Sequence, residues 1–275
     1  YGIFGSGFGL LLASFLVKKM KDFSNFGTIT EYLETRYNSK FLRSASAFLS
    51  MVALIALVGS QVGAAVGIMN ALGMKNTTIA ALFACIVIIA LTSMGGLMAV
   101  TVTDGFQIIL VMVGVVWITV AALGDIGGLS GLNASLTAIQ SELPEGYNVF
   151  MDSEKFKSLL WMILPGLMYI MIGQDIYQRL FACKDHKTAI KASVCSAVLV
   201  CIVSVMPVTL GLIARVKHPE LATAGTSAAA FATIAMSTLP GWAVGIIIAA
   251  ALSAIFSTAD SCLSAAASHF MTDLY

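Results

Sequence analysis

The chain has 275 residues, 59% of them hydrophobic and 11% charged, with a net charge of +1 and a mean hydropathy of +0.93. Soluble domains carry about 25% charged residues, so the composition excludes a soluble globule and indicates an integral membrane protein. The near-neutral balance argues against nucleic acid as a partner and leaves the lipid bilayer as the expected surroundings. Cys85, Cys183, Cys195, Cys201 and Cys262 show no metal-ligand spacing and are expected as free thiols. Residue 1 already lies in an apolar run and no signal peptide is visible, so the chain reads as a fragment of a longer protein.

Taken in order, residues 1–17 form a Gly-rich apolar run, the first expected span. Residues 18–43 are polar and hold Lys18, Lys19, Lys21, Arg36, Lys40 and Arg43. Further spans are expected at about 44–72, 77–98 and 103–123, followed by a long connection over 124–154. A fifth span at about 157–178 leads into a basic loop with Arg179, Lys184, Lys187 and Lys191. The sixth covers about 192–214, residues 227–239 read as a short Ala-rich helix stopped by Pro240, and the seventh begins at Gly241. Loops 18–43 and 179–191 fall on one side of an alternating topology and hold ten of the fifteen basic residues, which predicts that side as cytoplasmic.

The seventh span carries polar groups where hydrocarbon is expected. An Asp in mid-helix costs roughly 2.5–3.5 kcal/mol on insertion scales. At 100° per residue, Ala254, Ser257, Thr258, Ser261, Ser264 and Ser268 share one face, with Asp260 at its edge. Small residues suit close helix packing, while hydroxyl and backbone oxygens suit a hard cation such as Na⁺; both readings fit this stripe. Asp104 and Asp175 are the other carboxylates in or against apolar spans. Asp104, like Thr101 or Thr103, stands where it could cap the fourth span after a break at Gly95-Gly96, or it could serve an ion or proton. Pro165-Gly166 and Gly173 interrupt the fifth span, either as a plain kink or as the broken helix that transporters place at a substrate. The histidines are scattered, and no HExxH, nucleophile elbow or P-loop occurs, so no enzyme is expected.

Three stretches are similar to motifs of the sodium:solute symporter family. Thr28-Ile29-Thr30-Glu31-Tyr32-Leu33-Glu34-Thr35-Arg36-Tyr37 resembles its T-x-x-E-Y-L-E-x-R-Y loop. Gly95-Gly96-Leu97-Met98-Ala99-Val100 through Thr103-Asp104 to Gln107 resembles GGL-x-AV-x-x-TD-x-x-Q. Phe256-Ser257-Thr258-Ala259-Asp260-Ser261 through Asp273-Leu274-Tyr275 resembles STADS…DLY, and Gln174-Asp175-Ile176-Tyr177-Gln178-Arg179 is similar to a further family segment.

The resemblance implies an all-α integral membrane bundle with a LeuT-type inverted-repeat fold, of which this single-domain fragment holds core helices two to eight and lacks the first. It implies a Na⁺-coupled symporter importing a small organic solute by alternating access from the plasma (inner) membrane. Carried over by position, Ala254 through its carbonyl and Ser257 and Thr258 through hydroxyls match the main Na⁺ site. Asp104, with Asp260 and Ser261, matches a second cation or proton site. Gln174, Asp175 and Tyr169 are expected along the substrate path. Some members have Ser where this chain has Asp260, which leaves the number of coupled ions open. The alternative is a sensor, the same membrane module fused to a signalling kinase. A channel is the weaker third reading, because no selectivity-filter loop occurs.

Overall fold

In the computed structural model, residues 2–19, 26–94, 97–140, 153–222 and 227–275 are described, and all regular structure among them is helical. The helices are α1 (Gly2–Lys19), α2 (Ile29–Tyr37), α3 (Lys40–Ala71), α4 (Thr77–Met94), α5 (Leu97–Asp125) and α6 (Gly128–Ala138). They continue as α7 (Ser153–Ile172), α8 (Gln174–Phe181), α9 (His186–Val203), α10 (Val205–Lys217), α11 (Ala230–Thr238) and α12 (Gly241–His269), which ends in a π turn over Phe270–Leu274. Four helices are long and apolar enough to cross a membrane: Lys40–Ala71, Asp104–Asp125, His186–Lys217 and Gly241–Leu274; Thr77–Ser93 is apolar but shorter.

The structure departs from the sequence expectation at four places. The connection after α5 is not irregular throughout, because α6 forms behind two glycines, Gly127 and Gly128, with φ of 84° and 73° that only glycine adopts freely. Of the two expected interruptions of the fifth span only the one at Gly173 ends the helix, while Pro165 sits inside α7. The sixth span divides at Ser204, where Pro207 in the first turn of α10 has no N–H to offer Val203. Finally, α5 begins at Leu97, so Asp104 lies two turns inside the helix and does not cap it. The Gly95-Gly96 pair itself, and residues 141–152 of the long connection, lie outside the described residues.

The chain forms two compact units. The first comprises Tyr1–Val58, Met151–Ser204 and Ser261–Tyr275; the second comprises Gly59–Phe150 and Val205–Asp260. In the first unit the glycines of α1 let α7 and α9 approach closely, as small residues do in membranes. A Cβ at Gly9 would stand 2.7 Å from Ile170 Cβ, and one at Gly7 2.6 Å from Cys201 Sγ. The same core, through Ala13, Val17 and Ile170, continues to α2 and α8, where Phe26 meets Tyr32 edge-on at 5.4 Å and Tyr177 and Phe181 lie 5.6 Å apart. The core of the second unit is built from α5, α10, α11 and α12 around Ile118, Ile213, Ile234 and Ala243.

Candidate cation and solute sites

The candidate Na⁺ ligands lie in the second unit, on α12. Thr258 Oγ1 donates to the Ala254 carbonyl at 2.9 Å. This is the usual bond of a helical Thr to the carbonyl four residues back, as at Thr119, Thr209 and Thr233, and it keeps both oxygens on one side of α12. Ser257 is half-buried and Thr258 exposed. Two contacts fix the height of α5 against this stretch. Gln107 Nε2 donates to Ser253 Oγ at 2.6 Å, and a Cβ at Gly114 would come within 3.1 Å of Ile247 Cγ1. Seven residues forward on α5 correspond to six back on α12, so the helices run antiparallel. Asp104 then falls level with Ile255–Phe256, and Asp260 lies about one turn, on the order of 6 Å, further along α12.

Asp260 is 4% exposed, and its Oδ1 has no hydrogen-bond partner among the described residues. Above the Ala254 turn, a cavity of about 320 Å³ opens between α3, α5, α11 and α12, with Ala64, Ile68, Leu110, Gly114, Phe231 and Ala254 on its walls.

Ser261, the third residue expected at the second cation site, falls in the first unit. Arg179 donates to its hydroxyl at 2.5 Å, and Gln178 to its carbonyl at 3.4 Å, both from α8. A guanidinium in contact with Ser261 disfavours a cation at that oxygen.

In the first unit, the break at Gly173 brings Tyr169 and Asp175 together, the phenol donating to Asp175 Oδ1 at 2.7 Å. A Cβ at Gly173 would lie 2.9 Å from both Asp175 Oδ1 and the Tyr169 carbonyl, which is why glycine occupies the interruption. Gln174 follows directly on this break, as the first residue of α8. It is fully buried, accepting from the Ile29 N–H at 2.9 Å and donating to the Gly27 carbonyl at 2.9 Å. Its amide is spent on backbone groups of the α1–α2 connection.

Sequence reasoning missed the densest polar cluster of the first unit, at the end of α12. Asp273 Oδ1 accepts from Thr28 Oγ1 at 2.9 Å and Arg43 Nε at 2.7 Å; Oδ2 accepts from Thr30 Oγ1 at 2.7 Å and pairs with His269 Nδ1 at 2.8 Å. These contacts fill the four acceptor positions of a carboxylate. Arg43 also reaches Glu34 at 2.6 Å and the Thr272 carbonyl at 2.8 Å. Thr28 caps α2, accepting from the Glu31 N–H at 3.2 Å, while Glu31 returns to the Gly27 N–H at 2.9 Å. The T-x-x-E of the motif thus caps α2 from both sides, with Glu31 taking the N–H one residue before the cap rather than that of Thr28 itself as in a capping box.

His269 Nε2 meets Ser50 Oγ at 2.9 Å, so Ser50, His269 and Asp273 have the distances of a hydrolase triad. Ser50 is 8% exposed and His269 fully buried, which leaves no access for a substrate. The signal that could have revealed the cluster was the presence of Thr28, Thr30, Glu34, Arg43 and Asp273 within or beside the recognised motifs.

Comparison with known proteins agrees with this distribution. Residues 4–275 match the Sodium:solute symporter family. A sodium/pantothenate symporter of Haemophilus influenzae is 28% identical over 255 residues, covering 90% of this chain and 50% of that protein. A sodium/glucose cotransporter of Vibrio parahaemolyticus is 29% identical over 283 residues, with 90% and 50% covered. A sodium/myo-inositol cotransporter 2 of Mus musculus is 26% identical over 215 residues, with 67% and 32% covered. The chain spans about half the length of the first two of these relatives. The wholly helical regular structure of its described residues and its apolar membrane-length helices are consistent with the LeuT-type fold of that family. With nearly every residue inside the match, the chain belongs to the sodium:solute symporter family.

Proposed function

We propose that the protein containing this chain is a Na⁺-coupled symporter, and not an enzyme, that imports a small organic solute by alternating access. The observation that carries the reading is the match of residues 4–275 to the sodium:solute symporter family, with Ala254, Ser257 and Thr258 together on a membrane-length helix. Ala254, Ser257 and Thr258 supply oxygens to Na⁺, replacing part of its water shell. Asp104 and Asp260 serve a second cation or a proton, because a buried carboxylate in a membrane helix is stabilised by neutralisation. Tyr169 and Asp175, held at the broken helix, border the solute path.

Alternating access then requires the Na⁺-bound state to favour one arrangement over the other. An ion shifts such an equilibrium only by its differential affinity for the two states. Loops 18–43 and 179–191 face the cytoplasm of a cell whose plasma membrane holds the protein. The printed names of the relatives supply the solutes to try first: pantothenate, glucose and myo-inositol. The test is uptake into proteoliposomes against a panel containing these three, with Na⁺ or choline outside. Uptake of one solute that collapses in choline is the expected result. Na⁺-independent uptake of every transported solute would overturn the reading.

A further inference from the structure

We propose that Gln107 is a further residue of the cation site, anchored through Nε2 and offering its amide oxygen to the ion. The inference rests on the Na⁺ site proposed at Ala254, Ser257 and Thr258. Gln107 is the last residue of the GGL-x-AV-x-x-TD-x-x-Q stretch, and so far it has served only to set α5 against α12. Its Nε2 holds Ser253 Oγ at 2.6 Å, and Ser253 directly precedes the residue whose carbonyl is the candidate ligand. The side chain therefore stands at the height of the Ala254 turn.

The other end of the amide is what singles it out. Gln107 Oε1 is buried and has no hydrogen-bond partner among the described residues. A carbonyl oxygen that has lost water and gained nothing is a standing cost in a membrane helix. Amide oxygens are good ligands for hard cations, and an ion beside Ala254 would remove that cost. The position fits as well. Gln107, Leu110 and Gly114 follow one face of α5, and the last two line the cavity into which Ala254 also projects.

A purely structural Gln107 would act through the Ser253 bond alone, and its amide could equally be turned round so that Oε1 accepts from Ser253. The two roles separate on substitution. If the open end is an oxygen ligand, Gln107→Glu keeps an oxygen there, whereas Gln107→Leu removes it.

The probe is Na⁺ itself, measured as radiolabelled Na⁺ binding to the purified protein. Gln107→Leu is expected to raise the half-saturating Na⁺ concentration about 10-fold, within the range for losing one such contact. Gln107→Glu is expected to leave it unchanged or lower it. Ser253→Ala, which frees the anchor without touching the ligand, is expected to raise it by a smaller factor, about 3-fold. An unchanged half-saturation in Gln107→Leu overturns the proposal. A rise in Gln107→Glu equal to that in Gln107→Leu also overturns it. Should Gln107→Leu fail to fold, Gln107→Glu decides: a raised half-saturation there overturns the role. Ser257→Ala and Thr258→Ala measured alongside separate the levels. If these two lose Na⁺ affinity while Gln107→Leu does not, only the role of Gln107 falls. If none of the three loses affinity, the cation site as a whole falls.

Discussion

Arg43 and Asp273 lie 230 residues apart in the chain and 2.7 Å apart in space, the Nε of one donating to Oδ1 of the other. The carboxylate has no exposed surface, while Arg43 keeps 20% of its side chain exposed. The pair binds the start of α3 to the end of α12, and Thr28 and Thr30 add the α1–α2 connection to the same oxygens.

Asp273→Asn is expected to destabilise the protein by roughly 3 kcal/mol, the low end for breaking a buried ion pair, since Arg43 is partly exposed and retains Glu34. The melting midpoint in detergent is the measurement, with a fall on the order of 5–10 °C expected. A midpoint within one degree of the parent's, at roughly equal enthalpy, would show that the cluster does not hold these elements.

Ser257→Ala and Thr258→Ala are each expected to weaken Na⁺ binding about 5- to 150-fold, the equivalent of about 1–3 kcal/mol for a lost ligand. Thr258→Ser is expected to stay close to the parent, because it keeps the oxygen that sits beside the Ala254 carbonyl. Na⁺ titration of binding reads all three, and parent-like affinity in both alanine variants would remove the site.

Asp104→Asn is expected to change the number of ions moved per solute while leaving Na⁺ binding at Ser257 and Thr258 intact. The motive is its height, level with Ile255–Phe256 and about one turn from the buried Asp260. Reversal potentials in proteoliposomes report the stoichiometry. An unaltered ratio together with an unaltered pH dependence would leave Asp104 with no part in coupling.

Gly173→Ala is expected to cost about 1–3 kcal/mol, as overpacking does, because the new methyl would sit 2.9 Å from Asp175 Oδ1 and from the Tyr169 carbonyl. The Tyr169–Asp175 bond has to give way or the helix has to shift. Stability and solute uptake should fall together, and a variant matching its parent in both would mean that the interruption tolerates a side chain.

The helices were legible because apolar runs near the length of a bilayer have few alternatives. The Ala-rich stretch before Pro240 became α11 over Ala230–Thr238, with Leu239 extended as a residue before proline tends to be. The oxygen stripe of α12 was legible too, since 100° per residue places Ala254 and Thr258 on one side before any coordinates exist. What the sequence could not reveal was partner choice. Gln174 reads as a polar residue beside a broken helix, and only the fold shows its amide turned to the backbone of Gly27 and Ile29. Ser261 reads as a continuation of the stripe, yet Arg179 reaches it first. Asp273 has three of its four donors 230 or more residues away, and no local periodicity carries that information.

That separation sets an order on biosynthesis. The donors at Thr28, Thr30 and Arg43 are made early, and their acceptor is made more than 200 residues later. The first unit is assembled from three stretches of the chain, the last beginning at Ser261, so it cannot close while the ribosome is still making the helices in between. At about 5–20 residues per second, the guanidinium of Arg43 waits on the order of ten seconds or more for its carboxylate. Throughout that interval the motif around Thr28 is a nascent surface with hydroxyls and a positive charge to satisfy. Chaperones and quality-control proteases would meet the protein there, and a nonsense mutation just before Asp273 would leave that surface permanently open.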